Sequence, residues 1–154
     1  MKKDYILNIF YTEDEKRNES VDNLALILIK NKDKFEFIDY YKKDDKNHYY
    51  FIIQLSEINK NIELFSNNDL SLTLINKLNE GVNESNSCRG CGSVTLNNIP
   101  YTYRGYGGCI GKSFECPDCR GLDNNTIHEI MEIKNSKGEK DAIMQVLKII
   151  KQTA

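Results

Sequence analysis

The chain has no tryptophan and only two histidines, His48 and His128, among its 154 residues. A catalytic site usually draws on several converging titratable groups, so two isolated histidines give an enzyme little to work with. His128-Glu129 does not extend to HExxH, because position 132 is Glu, and no HxE precedes a PCxxC. A GxSxG elbow is missing as well. Gly111-Lys112-Ser113 has Tyr106 five residues before Gly111, where a phosphate loop needs glycine. Long apolar runs are also lacking. The longest, Leu24 to Ile29, is strand-sized, far short of the roughly 20 residues that cross a bilayer. Lys2 and Lys3 lead into Asp4 with no small-residue cleavage site, which argues against a secretory signal. A cytoplasmic protein without a membrane partner is expected. Excess positive charge is absent too. A net charge of −2 and a pI near 5.7 exclude a protein that coats nucleic acid non-specifically.

What is present is ordinary in bulk: 40% hydrophobic and 29% charged residues, a globular composition. The length suits one domain, or a small domain with a metal-stapled appendage. Abundant Asn, Lys and Ile suggest AT-rich coding, as in a low-GC bacterium or mobile element. The charge is unevenly spread. Residues 1–87 carry 12 Lys/Arg against 16 Asp/Glu, whereas residues 88–121 carry Arg89, Arg104, Lys112 and Arg120 against Glu115 and Asp118. The one cationic segment therefore prefers arginine, whose planar fork suits phosphate, carboxylate and base stacking.

That segment also holds all five cysteines. Cys88-Arg-Gly-Cys91 and Cys116-Pro-Asp-Cys119 are separated by 24 residues, each pair beside glycine. Two thiols at i and i+3 of a tight turn point the same way, so two facing turns offer four sulfurs in a tetrahedron. This is the donor set of a closed structural Zn²⁺ site. With no export signal, metal use is favoured over a disulfide framework. A redox dithiol would open a helix after a strand, whereas Pro117, Gly121 and the second pair place these thiols in turns. Cys109, the fifth cysteine, reads as a small buried strand residue, with a substitute ligand as the alternative.

Cys88-Arg-Gly-Cys91-Gly92 and Cys116-Pro-Asp-Cys119-Arg-Gly121 resemble the two knuckles of the zinc-ribbon superfamily over residues 88–121. The resemblance implies a small ribbon around Zn²⁺ ligated by Cys88, Cys91, Cys116 and Cys119. Members serve transcription, translation, replication and protein contacts, so the fold module does not name a function. Rubredoxins are similar at the knuckles and hold iron, but this chain has no tryptophan and no matching aromatic pattern.

Along the chain, Asp4–Tyr11, Leu24–Ile29, Phe35–Tyr41 and Tyr49–Leu55 read as short strands of an antiparallel meander. A helix from Val21 to Lys30 is the alternative for the second. Residues 56–80 turn helical, with Leu70, Leu74 and Leu78 on one face, Asn68 or Asp69 as cap and Gly81 as stop. Residues 81–87 are a polar linker. Ser93–Leu96, Ile99–Arg104 and Cys109–Glu115 read as ribbon strands, with a turn at Asn97-Asn98 and a loop over 105–108. Residues 126–134 fit a helix or a strand. Ile143, Val146, Leu147 and Ile150 define a terminal amphipathic helix with acidic residues early and lysines late.

The expectation is an α+β protein: an antiparallel sheet with one or two helices, a four-cysteine zinc ribbon and a C-terminal amphipathic helix. The domains would be 1–84, an α+β meander; 85–122, the ribbon; and 123–154, a helical segment packing on the main domain. The function expected is a non-enzymatic, zinc-stabilised protein-interaction module of inhibitor, immunity or assembly type. The alternative is a single-stranded RNA- or DNA-binding factor associated with transcription or translation. Its contacts would be Arg89, Tyr101, Tyr103, Arg104, Tyr106, Lys112 and Arg120, with rings and arginines stacking on bases.

Overall fold

The structure, a computed structural model, describes residues 4–43, 45–81, 87–100, 103 and 114–153. The chain divides into two compact units, residues 1–82 with 96–98 and residues 83–95 with 99–154.

The first unit begins with strand β1 (Ile6–Thr12), followed by helix α1 (Glu19–Lys30). The strand expected over 24–29 is therefore a helix. The apolar run conceals a helical set, with Val21, Leu24, Ala25 and Leu28 buried at i, i+3, i+4 and i+7. Asn18 starts the helix by accepting the Val21 amide at 3.1 Å, and Asn31 ends it with its backbone N–H on the Ile27 carbonyl. Strands β2 (Asp39–Lys42) and β3 (His48–Gln54) form a hairpin. Helix α2 (Leu55–Lys60) follows β3 directly, and α3 (Asp69–Glu80) comes after a 3-10 turn at Ile62–Phe65.

The expected meander does not form. Once residues 19–30 are helical, β1 and β2 are joined by a crossover rather than a turn. Strand β3 is therefore placed between them, antiparallel to both, from Ile6↔Gln54 to Thr12↔His48 and from Asp39↔Ile52 to Lys42↔Tyr49. This is a split β-α-β arrangement. With β4 (Val94–Leu96) the sheet order is β2-β3-β1-β4, and the sheet is mixed rather than purely antiparallel. The α+β class holds, with five helices among the described residues where one or two and a C-terminal helix were expected.

Strands β1 and β3 are buried on both faces: Ile6, Leu7, Ile9 and Phe10 face Tyr50, Phe51, Ile52 and Ile53. The buried Asn8 is satisfied between these strands, the Tyr50 hydroxyl donating to Asn8 Oδ1 at 3.2 Å. Helix α3 buries Ser71, Ile75 and Leu78, while Leu70 is 39% exposed. The helix is thus rotated from the leucine face expected. Asn68 caps α3 through the Ser71 amide at 2.9 Å and also donates to Asn23 Oδ1 on α1 at 3.0 Å. Asn68→Ala removes both bonds and should cost about 1–2 kcal/mol of stability, read as a lower urea midpoint at unchanged slope.

In the second unit, α4 (Asn124–Lys137) and α5 (Glu139–Thr153) pack as a hairpin about Gly138. Residues 126–134 are therefore helical, begun by Asp123, whose carboxylate accepts the Thr126 amide at 2.7 Å. That bond holds the Asp123 carboxyl below its ordinary range. Its contribution is present above the ordinary carboxyl pKa and lost as pH falls through the lowered one. Ile127 and Ile130 of α4 are buried, and so are Ile143, Val146, Leu147 and Ile150 of α5, the set expected from periodicity. Among the described residues, no helix is long and apolar enough to cross a membrane.

Candidate metal centre

Two turns of the same construction carry the four cysteines. In each, the amide four residues after the first cysteine donates to that cysteine's carbonyl: Gly92 to Cys88 at 3.1 Å, and Arg120 to Cys116 at 2.9 Å. Each turn leaves through a glycine of positive φ, Gly92 at 82° and Gly121 at 94°, a conformation that side chains with a Cβ rarely adopt. The first turn is closed further by the Cys88 amide on the Ser93 carbonyl at 2.7 Å, and by a bridge between Ser87 and Val94.

These turns bring the sulfurs of Cys88, Cys91, Cys116 and Cys119 within 4.8 Å of one another. All four residues are buried and all four thiols are free. Cys91 Sγ lies 3.7 Å from Cys116 Sγ, well beyond the ~2.05 Å of a disulfide. A tetrahedral ion with metal–sulfur bonds of about 2.3 Å would separate its ligands by roughly 3.8 Å. The cluster can therefore hold a metal ion, and its donor set and spacing fit one.

Electrostatics point the same way. Hydrogen bonds from Cys116, Cys119 and Cys91 hold the Cys88 thiol well below its ordinary pKa. Burial pushes Cys116 well above it. Cys119 is raised by its hydrogen bond to Cys116 and by the other sulfurs. One sulfur is thus favoured as thiolate while Cys116 and Cys119 are favoured as thiols. A cation that recruits all four must displace protons.

The surroundings include residues that spacing alone did not single out. Ser93, fully buried, places its hydroxyl 3.0 Å from Cys91 Sγ, where it can orient that sulfur. A hydroxyl two residues after a knuckle cysteine was the available signal. Gly90 lies close to the cluster: a Cβ there would be in ordinary contact with Cys119 Sγ and Ile127 Cδ1, each at 3.4 Å. At Gly92 it would meet Lys134 Cδ at 3.0 Å and Glu139 Cγ at 3.1 Å. Gly92→Ala adds that crowding to an unfavourable φ and should cost about 1–3 kcal/mol, measured by denaturation of the metal-loaded protein.

The residues proposed for nucleic-acid contact are placed as follows. Arg89 reaches Glu115 at 3.5 Å and Asn124 at 3.4 Å. Tyr103 is only 4% exposed, and a buried ring has no open face for a base. Arg120 is half-buried at the end of the second turn. Tyr101, Arg104, Tyr106 and Lys112 lie outside the described residues, as do Cys109, the loop at 105–108, linker residues 82–86, and most of the ribbon strands expected at 99–104 and 109–115. The described part of the expected ribbon contributes the short β4 and a turn at Asn97, whose φ is 65°. Asn97 donates to the Phe10 carbonyl at 2.8 Å and to Asp22 at 3.0 Å.

A cavity of about 260 Å³ in the first unit is bounded by Tyr11, Glu13, Glu15, Glu19, Asp22 and Leu26, among others. The Tyr11 hydroxyl there is raised above its ordinary pKa by burial and by Glu13, Asp22 and Tyr49.

Comparison with protein-family models, curated proteins and solved structures finds no match to this chain.

Proposed function

We propose that the protein is a non-enzymatic interaction module in which a structural Zn²⁺, held by Cys88, Cys91, Cys116 and Cys119, stiffens the surface that meets a protein partner. The observation that carries this reading is the closed cluster of four buried sulfurs. Four thiolates fill a tetrahedral sphere, so no position remains for a substrate or an activated water. Zinc is favoured because it suits paired cysteine turns and adds no redox chemistry.

Two observations support a protein partner over single-stranded nucleic acid. Arg89 is engaged by Glu115 and Asn124, and the Tyr103 ring is buried. The acidic excess of residues 1–87 and the carboxylates around the cavity in the first unit favour a partner that presents basic groups.

Affinity capture from the native host with the zinc-loaded chain tests the reading. One stoichiometric protein should be retained through nuclease treatment and released by Glu13→Lys with Glu19→Lys. Recovery of RNA or DNA alone, with nothing left after nuclease, would sink it in favour of the nucleic-acid alternative.

A further inference from the structure

We infer that the four-cysteine centre and the α4–α5 hairpin are one cooperative unit, so that the hairpin keeps its helical pairing only while the metal is bound. This inference rests on the metal reading above and adds what the metal controls.

The first cysteine turn is the platform on which the hairpin sits. Arg89 reaches Asn124, the first residue of α4. A Cβ at Gly90 would lie 3.4 Å from both a cysteine sulfur of the cluster, Cys119 Sγ, and Ile127 Cδ1 in the first turns of α4. Gly92 lies beneath Lys134, near the end of α4, and Glu139, the first residue of α5. The single turn Cys88–Gly92 thus lies near the hairpin's start, its first turns, its end and its return. The second cysteine turn is tied in through the chain, since Asp123, the cap of α4, follows Cys119 by four residues.

Helix α4 depends on what packs against it, namely α5 and the first cysteine turn. Of its 14 residues only Ile127 and Ile130 are fully buried, and helices of roughly 12–15 residues are marginal by themselves in water. The shape of that turn depends on the convergence of four buried sulfurs within 4.8 Å of one another. Without the cation the turns lose their cross-link, and the contacts at Asn124, Ile127, Lys134 and Glu139 lose their platform. Helix α1 and helix α3 belong to the first unit and have their own core, so they should stay ordered.

The test is hydrogen exchange by mass spectrometry on the full chain, Zn²⁺-loaded against chelator-stripped, under reductant. Amides of residues 124–153 should exchange at least about 100-fold faster after stripping, while those of α1 and α3 change less than about twofold. Coupling is reciprocal, so weakening the hairpin must weaken the metal. Ile130→Ala should lower Zn²⁺ affinity at least about tenfold in a chelating-dye competition, and the milder Ile130→Val about threefold. Equal protection of 124–153 with and without zinc, loss of α1 and α3 together with the hairpin, or unchanged affinity in both variants would each overturn the inference. Binding of zinc with an indifferent hairpin rejects this inference alone. Failure to bind zinc at all rejects the metal reading beneath it as well.

Discussion

Cys116→Ser should leave the purified protein without stoichiometric metal and unfold its second unit. Serine nearly matches cysteine in size, so the packing around position 116 is little disturbed and the effect reports on ligation. The magnitude expected is large. Structural zinc contributes an apparent ~10–16 kcal/mol to small cysteine modules near neutral pH, and most of that depends on a complete ligand set. Elemental analysis should give one metal ion per chain in the parent protein and none in the variant, with far-UV ellipticity reduced in parallel. A full complement of metal in Cys116→Ser would show that the four sulfurs are not the site.

The same centre should titrate steeply. Cys116 and Cys119 sit well above the ordinary thiol pKa, so binding the ion displaces protons from them. Protons compete as pH falls, and the metal is lost on acidification rather than on raising pH. Apparent affinity should drop by more than about tenfold per pH unit, because more than one proton is exchanged per ion. A pH-independent affinity between neutrality and mild acid would contradict binding through these thiols.

Phe51→Ala should destabilise the first unit by about 3–5 kcal/mol, a large part of the ~5–15 kcal/mol that holds a domain together. Phe51 lies on β3 between its two partner strands, opposite Ile9 and Tyr40, and is fully buried. Its ring stacks on Tyr40 at 5.8 Å and meets Phe37 edge-on at 5.4 Å. Truncation removes the ring from the centre of this group and leaves a cavity that strands paired on both sides cannot close. Urea unfolding followed by circular dichroism measures the loss. Tyr41→Ala, at a position 36% exposed on the edge strand, should cost far less. Similar costs at both positions would show that β3 is not the centre of the core.

The four-cysteine cluster was legible because its signal is local: cysteines three residues apart on glycine turns, repeated once. Helix α5 and the start of α3 were legible for the same reason, since a 3.6-residue stripe and an asparagine cap lie within a single element. The meander was misread at Leu24–Ile29, where six consecutive apolar residues hide a helical face. The true signal lay outside the run, in the Asn18 cap and the buried Val21. The order β2-β3-β1-β4 followed from that helix and could not be reached while the segment was taken for a strand. The rotation of α3 toward Ser71 and Ile75 was also hidden. Leu70, Leu74 and Leu78 form an equally good stripe, and only the neighbouring helix selects between them.

The chain alone therefore determined its donor chemistry, its charge asymmetry and its better-capped helices, because each is written in residues close together in sequence. Tertiary structure decided which strands are neighbours, which face of α3 is buried, and that the first cysteine turn lies against both ends of the α4–α5 pair. Those outcomes depend on packing between segments tens of residues apart, where shape and excluded volume select among local patterns of nearly equal merit.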